Sequence, residues 1–206
     1  MRMPHLLLGT LLLGAGLTGC QEAPVAAGDR QAAASHPAAP APAWELLADQ
    51  AYEARVRSLI AGARSGVDLV MFSAVLPDDA GATHPVRLLL EALIERHRAG
   101  VPVRVVLDQG APPGRDRPSA HAFRVLAEAG VAVRWDEDER TTHIKALVVD
   151  RRWCVLGSHN WTFSALRRNR EQSLLVDDPA LALRLGGEFT RLWDGLADAP
   201  SPRRKR

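Results

Sequence analysis

Cysteine is nearly absent from this chain. Cys20 and Cys154 are the only two in 206 residues, so no disulfide framework can hold the fold and no cysteine cluster is available for a structural zinc site. Lysine is just as scarce. Of 26 basic residues only Lys145 and Lys205 are lysines, and Lys205 sits in the terminal "RRKR", so Lys145 needs its own explanation. No glycine-rich phosphate loop of the Walker or dinucleotide type follows any predicted strand, and no His-Glu-x-x-His appears, which removes P-loop and zincin chemistry from consideration. Neither a cofactor nor a metal is expected. The acidic run Asp136 to Glu139 reads as a solvated turn rather than a cation site.

Long apolar runs are also missing, apart from one of about a dozen residues from Leu6 to Leu17. With Arg2 before it and small residues after it, this run has the form of a secretory signal rather than a membrane span. Leu17-Thr18-Gly19-Cys20 resembles the lipobox of bacterial lipoproteins, which implies residues 1–19 as a removed signal and Cys20 as the lipidated anchor. Gln21 after that cysteine, by the same resemblance, leans to an outer membrane and hence to a cell-envelope location facing the periplasm. Loss of residues 1–19 removes Arg2 and no acid, so 26 basic against 24 acidic residues become 25 against 24. Such a balance gives no global argument for nucleic acid. With Cys20 assigned to lipid, Cys154 is left inside an apolar strand as a buried thiol.

Residues 20–43, rich in alanine and proline with no apolar periodicity, read as a disordered tether. A folded domain is expected over 44–198, followed by a basic tail, 199–206. "WELLADQAYEARVRSLIAGARSG" carries apolar residues three and four apart and predicts one amphipathic helix ending at its glycines. Then "VDLVMFSAV" predicts a strand, "HPVRLLLEALIERHRAG" a helix with proline in its first turn, and "VPVRVVLD" a strand. The loop Gln109 to Ala120, a further helix and "VAVRW" follow. Alternation of this kind predicts an α/β domain with a mixed, mostly parallel sheet and helices on both faces. Near the C-terminus "HIKALVVD", "WCVLGS" and "EQSLLVDD" are three strands close in sequence, and a final helix covers 179–196.

Residues two apart on a strand share a face, so His143 and Lys145 point the same way. A two-residue turn at Arg151-Arg152 would set Lys145 opposite Ser158 and His143 opposite Asn160, bringing four polar groups to one patch; a slip of one residue would undo this. Lys145, Ser158 and Asn160 supply donors suited to phosphate oxygens, leaving a ring nitrogen of His143 free to attack phosphorus. His159 points away and takes no chemical role in that register.

The pattern His143-x-Lys145-x4-Asp150-x6-Gly157-Ser158-x-Asn160 is similar to the HKD motif of the phospholipase D superfamily. Glu171, in "NREQS", stands where that family places an acid hydrogen bonded to the nucleophilic histidine, and Asp150 where it places a mainly structural aspartate. The resemblance implies a metal-independent phosphodiesterase working through a phosphohistidine. It also implies a second histidine, and since the chain has one motif, a homodimer sharing one active site.

Among single-motif relatives the resemblance points first to a nonspecific nuclease, with Arg167, Arg168 and Arg170 as a local basic cluster and Arg168 a candidate substrate contact. The alternatives are a phospholipase D or phosphatidyl transferase acting on membrane lipid, favoured by the anchor, and a non-catalytic binding lipoprotein. The expected partners are therefore nucleic acid or phospholipid, a membrane through Cys20, and a second copy of the chain.

Overall fold

The structure, a computed structural model, describes residues 43–110, 117–136 and 140–196. The signal, Cys20, the tether up to residue 42 and the basic tail lie outside the described residues, while Ala43, expected to end the tether, opens the first strand. Seven strands form one sheet in the order β1-β7-β6-β5-β2-β3-β4, comprising β1 (Ala43–Ala48), β2 (Val67–Met71), β3 (Val103–Leu107), β4 (Ala132–Trp135), β5 (Lys145–Val149), β6 (Trp153–Gly157) and β7 (Gln172–Asp177). The helices are α1 (Ala51–Ala61), α2 (Pro85–Arg98), α3 (Ala120–Glu128), α4 (Phe163–Arg167) and α5 (Pro179–Gly195).

The α/β class stands, but the sheet is mostly antiparallel. Only β2 with β3 and β3 with β4 run parallel; β5, β6, β7 and β1 are joined antiparallel, and β5 closes antiparallel onto β2. The physical reason is connection length. Helices α2 and α3 are long enough to carry the chain back for parallel pairing, whereas the three-residue link from β5 to β6 permits only a hairpin.

A second correction concerns the first element. Residues 44–48 are an edge strand and not the start of a helix; β1 pairs with β7 from Ala43↔Asp177 to Ala48↔Gln172. Asp49, at φ 49°, turns the chain into α1. Cross-strand pairing decides against the helical spacing here, with Leu47 buried and Leu46 half exposed in strand alternation.

Strand parity separates two apolar layers. Leu69, Val105, Leu147, Val155 and Leu175 face α1, α2 and α3 in the main core. On the other face Val70 and Val106 pack on Phe189 of α5, and Val148 and Cys154 on Ala182. Cys154 is buried as expected, and that burial pushes its thiol up to about 11. Helix α5 starts where Asp178 accepts from the N–H groups of Ala180 and Leu181, with Pro179 in the first turn.

The hairpin of β5 and β6 has Val149 opposite Trp153, so three residues turn the chain instead of two and the expected register is off by one. Asp150 and Arg151 both take positive φ, 55° and 52°. Asp150 tolerates that conformation better than most residues and is also held from outside the hairpin. Its carboxylate accepts from the backbone N–H of Arg64 (3.0 Å), Ser65 (2.6 Å) and Gly66 (3.0 Å) and from the Ser65 hydroxyl (3.0 Å). This ties the hairpin to the loop between α1 and β2.

Burial works to raise the Asp150 carboxyl, but the N–H groups of Ser65, Arg64 and Gly66 outweigh it and hold the group below the usual carboxylate range. Its stabilisation is therefore present above the unfolded value, about 3.9, and disappears as pH falls through the lower folded value. Asp150→Asn is expected to cost about 1–3 kcal/mol at pH 7. Denaturant titrations of both proteins at pH 7 and pH 3 should show the gap narrowing in acid; an equal gap at both values would exclude a charge effect.

Candidate active site

The predicted residues other than Asp150 lie toward one end of the sheet, where β2 and β3 finish, β5 and β7 begin and β6 ends. This is the carboxyl edge of the parallel strands, the usual place for a ligand crevice. Phe72, just past β2, donates its N–H to the Ile144 carbonyl at 2.8 Å and its ring meets the His143 ring edge-on at 4.5 Å. His143 is thereby held at the mouth of the sheet while remaining exposed.

Lys145 opens β5 beside it. Its ammonium lies 3.1 Å from His143 Nε2 and 3.1 Å from the His143 carbonyl, and 4.7 Å from the centre of the Phe72 ring. An ammonium can only donate, so Nε2 is the acceptor and the ring proton is on Nδ1. Burial lowers the Lys145 pKa, while Glu171 and Asp108 pull it back up. Its charge is thus poorly solvated and ready for an anion.

The one-residue change in register alters how the remaining groups arrive. Gly157, not Ser158, leads the row shared with Lys145, and Gly157 pairs with Ser173. A Cβ at Gly157 would lie 2.2 Å from Ser173 Oγ and 2.4 Å from both the Gln172 carbonyl oxygen and Ser173 Cα, so only glycine fits. Ser158 donates its hydroxyl to Glu171 Oε2 and accepts the Gln172 N–H at 3.1 Å. Its hydroxyl proton is engaged within the chain instead of pointing to a phosphate.

Glu171 takes its second hydrogen bond from Asn169 Nδ2 at 2.9 Å. It is therefore held by Ser158 and Asn169, and the His143 ring has Lys145, not Glu171, as its hydrogen-bond partner. Asn160 is partly buried, with its Oδ1 enclosed and without a partner among the described residues. Asp150 is not brought to the site. It lies at the far end of β5, five residues or roughly 16 Å from Lys145 along the strand.

His159, given no chemical role in the sequence, is fully buried. Its Nε2 lies 3.0 Å from the Asp49 carbonyl and its Nδ1 2.8 Å from Ser173 Oγ, and its ring stacks on Tyr52 at 4.2 Å. The carbonyl requires a donor, so the proton is on Nε2 and Ser173 donates to Nδ1. Burial lowers the His159 pKa, which keeps the ring neutral. Burial also pushes the Tyr52 hydroxyl up to about 12, and it accepts from Trp161 Nε1 at 3.2 Å.

Two features were missed from sequence. Helix α4 is only five residues long, but Thr162 accepts from the Ala165 N–H at 3.1 Å, and a threonine cap ahead of "FSALR" was the available signal. Asp136 was expected in a solvated turn. It is instead 2% exposed and Asp108 is 3% exposed, because the Gln109 N–H (2.8 Å) and the Thr142 N–H (3.3 Å) reach into the Asp136 carboxyl group from neighbouring loops. Glu137 to Glu139 lie outside the described residues.

Of the arginines, Arg167 is drawn inward to Glu53 at 2.9 Å, whereas Arg168 is exposed and lies over the Phe163 ring at 5.0 Å. Phe163, His84 and Arg168 line a shallow groove of about 440 Å³. On the α5 side a cleft of about 650 Å³, walled by Val70, Ile144, Ala146, Leu156 and Phe189, reaches His143.

Solved structures share this architecture. Nuc from Salmonella typhimurium, a phospholipase D family member, superposes with a TM-score of 0.65 at 24% identity, covering 78% of this chain and 99% of its own. NucT from Helicobacter pylori gives 0.58 at 18% identity, over 74% of this chain and 96% of its own. The family model described as "Cardiolipin synthase, PLD-like domain" matches residues 56–193, and the chain therefore belongs to the phospholipase D-like family. It is similar to the mitochondrial cardiolipin hydrolases of Xenopus laevis, at 35% identity over 65% of this chain and 57% of the relative, and of Homo sapiens, at 35% over 68% and 49%. The chain thus spans about half the length of those relatives.

Proposed function

We propose that this chain is a metal-independent phosphodiester hydrolase that works through a phosphohistidine on His143 Nε2, with nucleic acid as its substrate. The observation that carries the chemistry is the Lys145 ammonium on His143 Nε2. A substrate phosphate draws the ammonium onto its own oxygens and uncovers the Nε2 lone pair, which attacks phosphorus as the ester oxygen leaves with a proton from a second histidine. That second histidine then takes a proton from water, whose oxygen displaces His143. Asn160, just past the end of β6, supplies its Nδ2 amide as a donor to the phosphate; its enclosed Oδ1 can only accept and plays no part in that contact.

A second copy of the chain supplies the second histidine. Support for such a pairing comes from the α5 face, where Leu46 (49% exposed) and Leu174 (43%) form one cross-strand row and Ile144 (47%) lies beside His143. Exposed apolar side chains of this kind suit an interface between copies. Attachment to the cell envelope through lipidated Cys20 completes the reading.

The nuclease reading is favoured by Phe163 and Arg168, an exposed ring and guanidinium suited to stacking on a base. Phe163→Ala is expected to raise KM for single-stranded oligonucleotides about tenfold with kcat little changed; steady-state cleavage assays check this. A second reading, a phospholipid substrate, is favoured by the apolar cleft reaching His143, which would accept an acyl chain. Plasmid nicking and phospholipid headgroup release, each in EDTA and across a salt series, separate the two. Nicking that persists in EDTA and weakens steeply with salt supports the nuclease. Headgroup release without nicking would replace it with the lipid reading, and activity lost in EDTA would exclude the metal-independent mechanism.

A further inference from the structure

Beneath the His143 segment sit two carboxyl groups that the mechanism above does not use. Asp108 follows β3 and Asp136 follows β4, and both are almost fully enclosed. The Thr142 N–H, one residue before His143, donates to Asp108 Oδ2 at 2.6 Å, with Asp136 Oδ2 at 3.3 Å. Asp136 also accepts the Gln109 N–H at 2.8 Å through Oδ1, and its own carbonyl accepts from Gln109 Nε2 at 2.7 Å.

We propose that Asp108 and Asp136 are positioning residues that hold His143 for attack by gripping the Thr142 N–H, and that they do so with one proton shared between them. The inference rests on the reading of His143 as the nucleophile. Two adjacent carboxylates out of water cannot both be charged without strong repulsion, so one keeps a proton. Asp108 makes the shorter contact with the Thr142 N–H and is the acceptor for the pair's proton. Asp136 is the protonated member and donates to Asp108. Burial and this hydrogen bond push Asp136 up to about 6.

The groups acting on the pair come from each neighbouring segment. They are Gln109 after β3, Thr142 before β5, and Lys145 on β5, whose ammonium feels Asp108 and, from β7, Glu171. As pH rises through about 6, Asp136 loses its proton, attraction across the pair becomes repulsion, and the grip on Thr142 loosens. His143, anchored otherwise by Phe72 and Lys145, then departs from its attack geometry. Small displacements of a nucleophile can cost up to about a hundredfold in rate.

The test uses Asp136→Asn, whose amide donates to Asp108 and whose oxygen still accepts from Gln109, so the protonated pattern persists at every pH. In the wild type kcat should fall above about pH 6 beyond any change in KM; in D136N that fall should be absent. Superimposable profiles would overturn the proposal. Asp108→Ala, which removes the Thr142 acceptor, should lower kcat about tenfold or more with KM within about threefold, and an equal rise in KM would point to a merely structural role.

Two readouts need no substrate. A carboxyl raised in the folded state contributes stability below its unfolded value that is lost as pH rises through its folded value. The Tm of D136N relative to wild type should therefore be higher at pH 8 than at pH 5, and a pH-independent difference would exclude the shared proton. The Thr142 backbone N–H resonance should broaden or shift above about pH 6 in the wild type in a way that D136N abolishes; unchanged behaviour would exclude the grip on the His143 segment. If these two hold while neither nucleic acid nor phospholipid is cleaved, the proposed function fails and the acid pair stands.

Discussion

Replacing His143 with alanine should reduce phosphodiester cleavage by about 10³-fold or more while leaving the fold intact. The ring is exposed, and its hydrogen-bond partner is Lys145, so its loss opens no core cavity and orphans no buried group. Circular dichroism and Tm should match the wild type. Loss of activity with retained structure identifies the nucleophile; full activity would transfer that role elsewhere. Mixing wild-type and variant chains adds a test of the shared site. If each site needs two histidines, random pairing at equal proportions leaves about a quarter of the activity, against about half for independent subunits.

Gly157→Ala should be the most damaging single methyl group in the domain. Two of the three atoms that its Cβ would strike, the Gln172 carbonyl oxygen and Ser173 Cα, are backbone at 2.4 Å, so no rotamer change relieves the clash and β6 must part from β7. Overpacking of this kind costs about 3 kcal/mol. The damage spreads to function, because Gln172 and Ser173 hold Ser158 and His159 in place. Gly186→Ala is the control. No atom lies within 4 Å of its added Cβ and it sits inside α5, so this change should stabilise by about 0.5–1 kcal/mol. Urea unfolding of both variants checks the contrast; equal effects would refute the steric account.

The cluster was legible in sequence to the extent that local spacing determines it. His143 and Lys145, which lie 3.1 Å apart, are legible because residues two apart on a strand share a face, and most helices and strands because their apolar periods are clean. The hairpin register was not legible, since whether two or three residues turn the chain depends on Asp150 being gripped by Arg64, Ser65 and Gly66, more than eighty residues away. The same holds for β1. Its sequence suits a helix, and only β7, brought alongside by the rest of the fold, makes it a strand. The Asp108 and Asp136 pair escaped notice for a similar reason, because nothing local shows that two distant strand ends deliver their carboxyls to one place.

The edge strand bears on where this domain can be cut. The family match begins at residue 56, yet Asp49 accepts the His159 ring N–H through its carbonyl and the Glu171 N–H through its carboxylate, and Tyr52 stacks on His159. A fragment trimmed to the matched segment would leave β7 as a bare sheet edge, open to pairing with other chains, and would uncap the histidine packed behind the site. The homologous segment is thus smaller than the unit that folds, and expression boundaries belong ahead of Ala43.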